Sequence, residues 1–196
     1  MQIHQVIRCT RAEGPGVRFA LWVQGCSHRC PGCFAEDTWD FRGGEAITLH
    51  ALIAAYRSVL DRIDGVTLLG GEPFDQAEEV SLFAREVHAS GKTLITFTGY
   101  DYDRLKESAD PSVGIILDCT DILIDGRFDE KLIDFSRPLV GSSNQNIRFL
   151  TDRIPVREFY AYRNRFEIRT DASGKIRVNG MGDIRTLEQY LGGKNV

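Results

Sequence analysis

Cys26-Ser-His-Arg-Cys30-Pro-Gly-Cys33 places three cysteines in one short stretch of the chain. Thiolates are preferred ligands of iron-sulfur clusters and of zinc. Three cysteines can bind three irons of a four-iron cluster and leave the fourth iron without a protein ligand. Because an iron with an open coordination position can bind a reactant, this stretch predicts a reactive 4Fe-4S cluster.

Two other metal centres are compatible with the same cysteines. A structural zinc site would need a fourth ligand, for which His28, Cys9 and Cys119 are the candidates. A closed electron-transfer cluster would need a fourth cysteine. The turn Gly70-Gly71-Glu72-Pro73 favours a reactive site, because its two glycines let the backbone approach a ligand closely and its proline fixes the exit. We expect Cys9 and Cys119 to be small buried hydrophobic side chains.

The composition limits the class of protein. With 196 residues, of which 42% are hydrophobic, the chain has the size of one domain with a full core. The formal net charge of -4 gives no indication of nucleic acid or an anionic membrane as a partner. No apolar stretch approaches the roughly 18 to 20 residues that span a bilayer. Five cysteines, three of them clustered, indicate metal binding in a reducing compartment, so we expect a cytoplasmic protein.

Strand and helix patterns alternate on both sides of the glycine turn. The β-rich stretch Val17 to Val23 leads directly into the cysteines, and Thr48 is placed to cap a helix whose apolar residues fall on one face. Asp75 and Glu78 form a capping pattern for a second helix. Further strands are predicted at 65–69 and 92–98, and a short helix at 101–109. The apolar runs at 114–117 and 121–124 predict one or two more strands.

Repeated strand-helix-strand units predict parallel strands with right-handed crossovers. In such sheets ligands bind at the carboxyl ends of the strands, so the loops at Gly25, Gly70 and Gly99 are expected to converge. The predicted fold class is therefore α/β, as a partial (β/α) barrel or an open curved sheet.

The C-terminal part of the chain follows a different pattern. Residues 166–179 alternate in polarity on either side of a Ser-Gly turn, which predicts an antiparallel hairpin, and residues 184–191 predict a short helix. We therefore expect a core over residues 1–150 and a C-terminal extension over residues 151–196 that packs on it.

The combination of Cys-x3-Cys-x2-Cys with Gly-Gly-Glu-Pro resembles the radical S-adenosylmethionine superfamily. The resemblance implies that Cys26, Cys30 and Cys33 are the catalytic metal ligands of a 4Fe-4S cluster, and that S-adenosylmethionine chelates the fourth iron. It also implies reductive cleavage of this cofactor to methionine and a 5′-deoxyadenosyl radical, which removes a hydrogen atom from the substrate.

Within this superfamily, residues 3 to 151 resemble the activating enzymes of anaerobic ribonucleotide reductase. The resemblance implies a glycyl radical formed on a large reductase subunit, by removal of a hydrogen atom from a glycine Cα, with a flavodoxin- or ferredoxin-type protein as electron donor. The blocks that carry the resemblance are Gly14-Pro-Gly-Val-Arg-Phe, Val23 to Cys33, Thr38-Trp39, Thr98-Gly-Tyr100, Leu123-Ile-Asp-Gly-Arg-Phe128 and Gly141-Ser-Ser-Asn-Gln145.

An alternative keeps the radical chemistry and changes the substrate. The 7-carboxy-7-deazaguanine synthases, which act on a small molecule, share a similar entrance and a Gly-Glu-Pro turn, and other radical enzymes modify peptides. The Ser-Ser-Asn-Gln block follows the activase pattern and favours a protein substrate.

The resemblance also implies roles for residues outside the cysteines. Gly70-Gly71-Glu72-Pro73 would bind the amino group of S-adenosylmethionine, chiefly through backbone carbonyls, so its side chains are expected to matter less than its conformation. Thr98 and Gly99 would approach the ribose and methionine portions, and Phe34 would lie beside the cluster and the adenine. Asp125 is expected to have a polar role at the rim. We expect His28 to be exposed.

Overall fold

Four parallel strands form the centre of a seven-stranded sheet. The computed structural model describes residues 1–170, 173–174 and 176–183. The strands of the sheet are β1 (Gln2–Thr10), β2 (Arg18–Val23), β3 (Glu45–Ala46), β4 (Gly65–Gly70), β5 (Thr93–Thr98), β6 (Ile122–Asp125) and β7 (Asn146–Phe149). Their order is β3-β1-β2-β4-β5-β6-β7, with β2, β4, β5 and β6 parallel and antiparallel pairings at both sides.

The sheet is open, as the partial barrel predicted from the sequence requires, since within the described residues β3 and β7 do not pair with each other. The C-terminal hairpin is also confirmed, because two antiparallel strands form a separate sheet: β8 (Phe166–Thr170) and β9 (Ile176–Gly180). The helix predicted at 184–191 lies outside the described residues.

The described residues also form five α-helices. They are α1 (Leu49–Arg57), α2 (Ala77–Ala89), α3 (Tyr102–Lys106), α4 (Pro111–Cys119) and α5 (Val156–Ala161). An aromatic cluster joins the first two helices to β2: the ring of Phe19 lies 5.7 Å from that of Tyr56 and 6.1 Å from that of Phe83. None of the described helices is both long and apolar enough to cross a membrane.

One predicted strand is wrong. Residues 114–117, an apolar run, lie inside α4. Asp110 caps this helix by accepting a hydrogen bond from the Ser112 backbone N–H at 2.8 Å, and Pro111 occupies the first turn, where its missing N–H has no cost. A short apolar run has no periodicity that distinguishes a helix from a strand. The Asp-Pro pair before this run is therefore the local signal that favours the helix.

A buried arginine connects the amino-terminal ends of three parallel strands. Arg18 in β2 is 1% exposed and donates hydrogen bonds to Thr67 in β4 and Thr93 in β5 at 3.2 and 2.7 Å, and to the carbonyl of Val66. Burial lowers the pKa of the guanidinium to about 10. Because the group stays charged at neutral pH, its donors need these acceptors, and the contact fixes the strands at the end opposite the cysteines.

Replacement of Thr48 tests the capping of α1. Its hydroxyl oxygen accepts a hydrogen bond from the Ala51 backbone N–H at 3.2 Å. We expect Thr48→Ala to lower the free energy of unfolding by about 1 kcal/mol in chemical denaturation, because an N–H of the first turn loses its acceptor. Thr48→Ser, which keeps the hydroxyl, should retain most of the stability, and equal losses in both variants would contradict the capping role.

Candidate active site

The loops that follow β2, β4 and β5 converge on one cavity, as the sequence predicts. The cavity has a volume of about 320 Å³ and is lined by all three clustered cysteines and by residues 69–72 and 97–99. Trp22, Leu69 and Phe97, on three adjacent strands, form its apolar floor. The cavity therefore lies at the carboxyl ends of the parallel strands, where α/β folds bind ligands.

The three cysteines are held close to the end of β2. Gly25, with φ of +97°, turns the chain out of the strand, and its N–H donates to the carbonyl of Thr38 at 2.7 Å. Cys26 and Cys30 are buried and Cys33 is partly exposed. Burial raises the pKa of the Cys26 and Cys33 thiols. Positive charge from a metal would be needed to keep these sulfurs as thiolates.

The side chain of Asp75 anchors the cysteine loop. Its carboxylate accepts hydrogen bonds from the Ser27 backbone N–H at 2.7 Å and from the Tyr100 hydroxyl at 2.8 Å. The sequence predicted Asp75 as the cap of the second helix, and this is wrong. A short 3-10 helix over Pro73–Gln76 precedes α2, which begins at Ala77 without a side-chain cap, so the carboxylate is free to bind the neighbouring loop.

The turn after β4 depends on glycine at two positions. Gly70 has φ of +101°, and a Cβ there would lie 2.7 Å from the Trp22 Cα atom, while a Cβ at Gly71 would overlap the carbonyl of Gly25. The turn is hydrogen-bonded to the cysteine loop, since the Glu72 N–H donates to the Gly25 carbonyl at 2.9 Å. A side chain at either glycine would separate this turn from the cysteines.

Glu72 is the most connected side chain at the site. It is 1% exposed, and its carboxylate accepts hydrogen bonds from the Phe74 N–H at 3.0 Å, the Thr98 hydroxyl at 2.9 Å and the Gly99 N–H at 2.8 Å. The sequence assigned little weight to this side chain. The structure shows that it ties the end of β4 to the end of β5, where Thr98 and Gly99 lie.

His28 lies against this carboxylate, so its predicted exposure is wrong. Its side chain is 12% exposed, its ring contacts that of Tyr100 with the ring centres 4.4 Å apart, and its Nε2 atom approaches Glu72 Oε2 to 3.3 Å. A Cβ at Gly99 would lie 2.5 Å from the imidazole. The absence of a side chain at Gly99 therefore makes room for His28, and this long-range contact has no signal in the local sequence.

Phe34 and Asp125 occupy different parts of the site. Phe34 lines the cavity and is 55% exposed, packed against the rings of Phe128 and Phe135 at 5.3 and 5.9 Å. Asp125 is fully buried at the end of β6 and does not line the cavity. Its carboxylate accepts hydrogen bonds from the Arg148 guanidinium at 2.8 Å and the Tyr102 N–H at 3.1 Å. Gly126, the next residue, does line the cavity.

Sequence reasoning missed a buried carboxyl group of the site. Glu13, just before the Gly-Pro-Gly turn, lines the cavity and is 4% exposed. Its carboxylate accepts a hydrogen bond from Asn179 of β9 at 2.9 Å. Burial raises the pKa of this carboxyl to about 7. An acidic residue beside a glycine turn is an ordinary surface feature, and only the packing of the hairpin on β1 buries it.

The residues present fit a thiolate-bound cluster with a polar organic ligand. Three sulfurs line the cavity, and within the described part of the chain the buried His28 Nε2 atom makes no hydrogen bond, because its 3.3 Å contact with Glu72 lacks hydrogen-bond geometry. A ligand with polar groups could satisfy this atom. No three described His, Cys, Asp or Glu side chains lie close enough together to hold a single metal ion, whereas in a four-iron cluster each cysteine binds a different iron.

Comparison with known proteins decides the family. Residues 12–148 match the family described as a 4Fe-4S single cluster domain. The anaerobic ribonucleoside-triphosphate reductase-activating protein of Salmonella typhi is 32% identical over 157 residues, which cover 76% of this chain and 99% of that protein. The chain belongs to the radical S-adenosylmethionine superfamily. Its cofactors are accordingly a 4Fe-4S cluster and S-adenosylmethionine, and the zinc and closed-cluster alternatives are set aside.

Two further relatives are also activating proteins. The reductase-activating protein of Enterobacteria phage T4 is 32% identical over 160 residues, covering 79% of this chain and 97% of that protein. The pyruvate formate-lyase 1-activating enzyme of Escherichia coli strain K12 is 34% identical over 149 residues, covering 73% of this chain and 58% of that enzyme. All three relatives are named as activating proteins of other enzymes, which favours a protein substrate over a small molecule.

Replacement of Glu72 tests its connecting role. In Glu72→Gln the amide can accept fewer hydrogen bonds, so one of the three donors is left unsatisfied in a buried place. We expect a loss of about 2 kcal/mol in the free energy of unfolding, measured by chemical denaturation, and weaker binding of S-adenosylmethionine in calorimetric titration of the reconstituted protein. The exposed Glu107→Gln is the matched control and should change neither quantity.

Replacement of Glu13 tests its burial through pH. The unfolded carboxyl ionises near pH 4.5 and the native one near pH 7, so between these values unfolding releases a proton and the stability of the wild type falls as pH rises. Glu13→Gln lacks this penalty. We expect it to be more stable than the wild type above pH 7, by about 3 kcal/mol, and nearly equal to it at pH 4.5. A stability difference independent of pH would contradict the raised pKa.

Proposed function

We propose that this radical enzyme cleaves S-adenosylmethionine reductively and generates a glycyl radical on anaerobic ribonucleotide reductase. The main support is the cavity in which three cysteines meet the Gly70–Pro73 turn at the strand ends. The relatives add a second line of support, because the match to reductase-activating proteins covers 99% of the Salmonella typhi protein. The substrate is then a glycine-containing segment of a large partner protein.

In this proposal, Cys26, Cys30 and Cys33 each bind one iron. When bound, the cluster and S-adenosylmethionine together supply a one-electron cleavage that yields the hydrogen-abstracting radical. The backbone of the Gly70–Pro73 turn, closed against Gly25, offers carbonyls to the amino group of the cofactor. Thr98 and Gly99, held by the Glu72 carboxylate, position the end of β5 against its ribose and methionine portions.

The remaining predicted site residues have supporting roles in the proposal. Phe34, exposed and lining the cavity, offers an aromatic surface for the adenine. Asp125 acts as a positioning residue, because its hydrogen bonds from Tyr102 and Arg148 hold the end of β6 and so place Gly126 at the cavity wall. Trp22, Leu69 and Phe97 exclude water from the floor, which protects a reactive radical from side reactions.

We propose a flavodoxin- or ferredoxin-type protein as the electron donor. Among the three cysteines Cys33 is the more accessible, and the exposed Phe34 follows it directly. A donor that docks on this side would reach the cluster by the shortest path through the protein. A small one-electron carrier fits because each turnover of the proposed reaction consumes one electron.

Electron paramagnetic resonance tests the proposed function. We expect reconstituted and reduced protein, incubated with S-adenosylmethionine and the anaerobic ribonucleotide reductase of the same organism without oxygen, to give the doublet signal of a glycyl radical. Cys33→Ser should lose the signal and most of the iron, because one iron loses its thiolate. Cys119→Ser, at a buried cysteine in α4 that does not line the cavity, is the matched control and should retain both.

Two outcomes would contradict the proposal. A doublet on pyruvate formate-lyase and none on the reductase would retain the chemistry and change the partner, a possibility raised by the 34% identity to a pyruvate formate-lyase 1-activating enzyme. Cleavage of S-adenosylmethionine without a doublet on either partner would favour a small molecule or a peptide as substrate.

A further inference from the structure

The C-terminal hairpin extends into the reaction cavity. The residues Val178, Asn179, Gly180 and Met181 line the same cavity as the three cysteines. They lie outside residues 12–148, which the family match covers. The cavity of this chain therefore has a wall that is a glycine-containing protein segment of its own.

Polar contacts with the core hold this wall in place. The Asn179 amide, 7% exposed, donates hydrogen bonds to Glu13 at 2.9 Å and to the Thr10 hydroxyl at 3.1 Å. The backbone of Gly180 adds a hydrogen bond to the Glu13 carboxylate. In contrast, the apolar side chains Ile168 and Ile176 of the hairpin are 46% and 53% exposed. Glu167 of β8 accepts hydrogen bonds from the Thr10 hydroxyl at 2.8 Å and the Arg11 N–H at 2.6 Å, and Arg169 donates to the Cys9 carbonyl at 2.8 Å. A segment attached by such polar contacts, with little apolar burial, can detach without unfolding the core.

The contact at Gly180 requires a glycine. Its φ is +111°, and a Cβ there would overlap the carbonyl of Arg165 and lie 2.9 Å from the Cβ of Ala12. A side chain at this position would disturb the pairing of β9 with the chain before β8 and, through Ala12, the contact of the hairpin with the core. The protein thus holds a glycine, with its backbone N–H on a buried carboxylate, in the wall of a cavity whose proposed substrate is a glycine of a protein loop.

We propose that the hairpin occupies the site of the partner's glycine loop, with Gly180 in the place of the substrate glycine, and that the partner displaces it. This inference rests on the proposed function, because only a glycyl-radical activase has a glycine loop as substrate. Displacement removes the Asn179 and Gly180 donors from the Glu13 carboxylate, and an incoming loop that covers this carboxylate again supplies backbone N–H groups as replacements. The hairpin is therefore a competitor within the same chain.

A competitor of this kind lowers the apparent affinity for the partner by the fraction of molecules in which the cavity is open. A substitution that weakens the hairpin contact raises the fraction of molecules with an open cavity. Such a substitution should lower the KM for the partner protein and leave kcat unchanged, because the chemistry begins only after the hairpin has left. A wall that helped to bind the partner would give the opposite change in KM.

Steady-state kinetics of glycyl radical formation on the anaerobic ribonucleotide reductase test the inference. We expect Asn179→Ala and Gly180→Ala to lower the KM for the reductase about tenfold with kcat within about twofold of the wild type, as a rise in the open fraction predicts. Ile176→Ala, an exposed change in β9, and Gly91→Ala, at a positive φ with no atom within 4 Å of the added Cβ, are the matched controls. Both should keep the wild-type KM.

Hydrogen exchange gives an independent measurement on the unreduced holoenzyme. We expect the amide hydrogens of β9 to exchange faster when saturating reductase is added, because the displaced hairpin loses its contacts with Glu13 and Thr10. Unchanged or slower exchange, or an unchanged or higher KM in both variants, would overturn the hairpin proposal alone. A wild type that forms no glycyl radical would overturn the proposed function as well, so the two failures are distinguishable.

Discussion

The buried carboxylate of Glu72 is the interaction on which the site depends. It accepts three hydrogen bonds, from its own turn and from the end of the next strand, and it lies against the His28 ring of the cysteine loop. A carboxylate this deeply buried is stable only when its oxygens are satisfied. Its partners belong to the ends of three different strands and the loops that follow them. The contacts that these partners make with the Glu72 carboxylate therefore hold the three loops together, and the cavity lies where the loops meet.

Close contacts at three glycines also hold the loops of the site together. Gly25, Gly71 and Gly99 lie where a side chain would collide with a neighbouring loop or with His28. These glycines therefore allow one loop to pack closely against another, in addition to letting the backbone approach a ligand. At the opposite end of the strands, Arg18 joins β2, β4 and β5 through buried hydrogen bonds. The strands are thus fixed at both ends, which holds the cysteine loop and the glycine turn in a constant relation.

The C-terminal hairpin adds a different kind of wall to this rigid frame. The strand ends are joined by buried groups, whereas the hairpin is attached to residues 9–13 through hydrogen bonds of Glu167, Arg169 and Asn179 and leaves apolar side chains exposed. A protein that must admit a loop of another protein needs one removable wall, since the remaining walls hold the cofactors. The cavity therefore has a fixed side, formed by the strand ends, and a displaceable side, formed by the hairpin.

The sequence by itself determined the features that are local. The spacing of Cys26, Cys30 and Cys33, the Gly70–Pro73 turn, the capping of α1 by Thr48 and the alternation of the hairpin each depend on neighbours in the chain, and each was predictable. Tertiary structure alone decided the rest. Glu13 and Asn179 are 166 residues apart, and Asp75 binds Ser27 instead of capping its own helix. Such partners are chosen by how whole elements pack, because a buried polar group takes whichever donor the fold brings within reach.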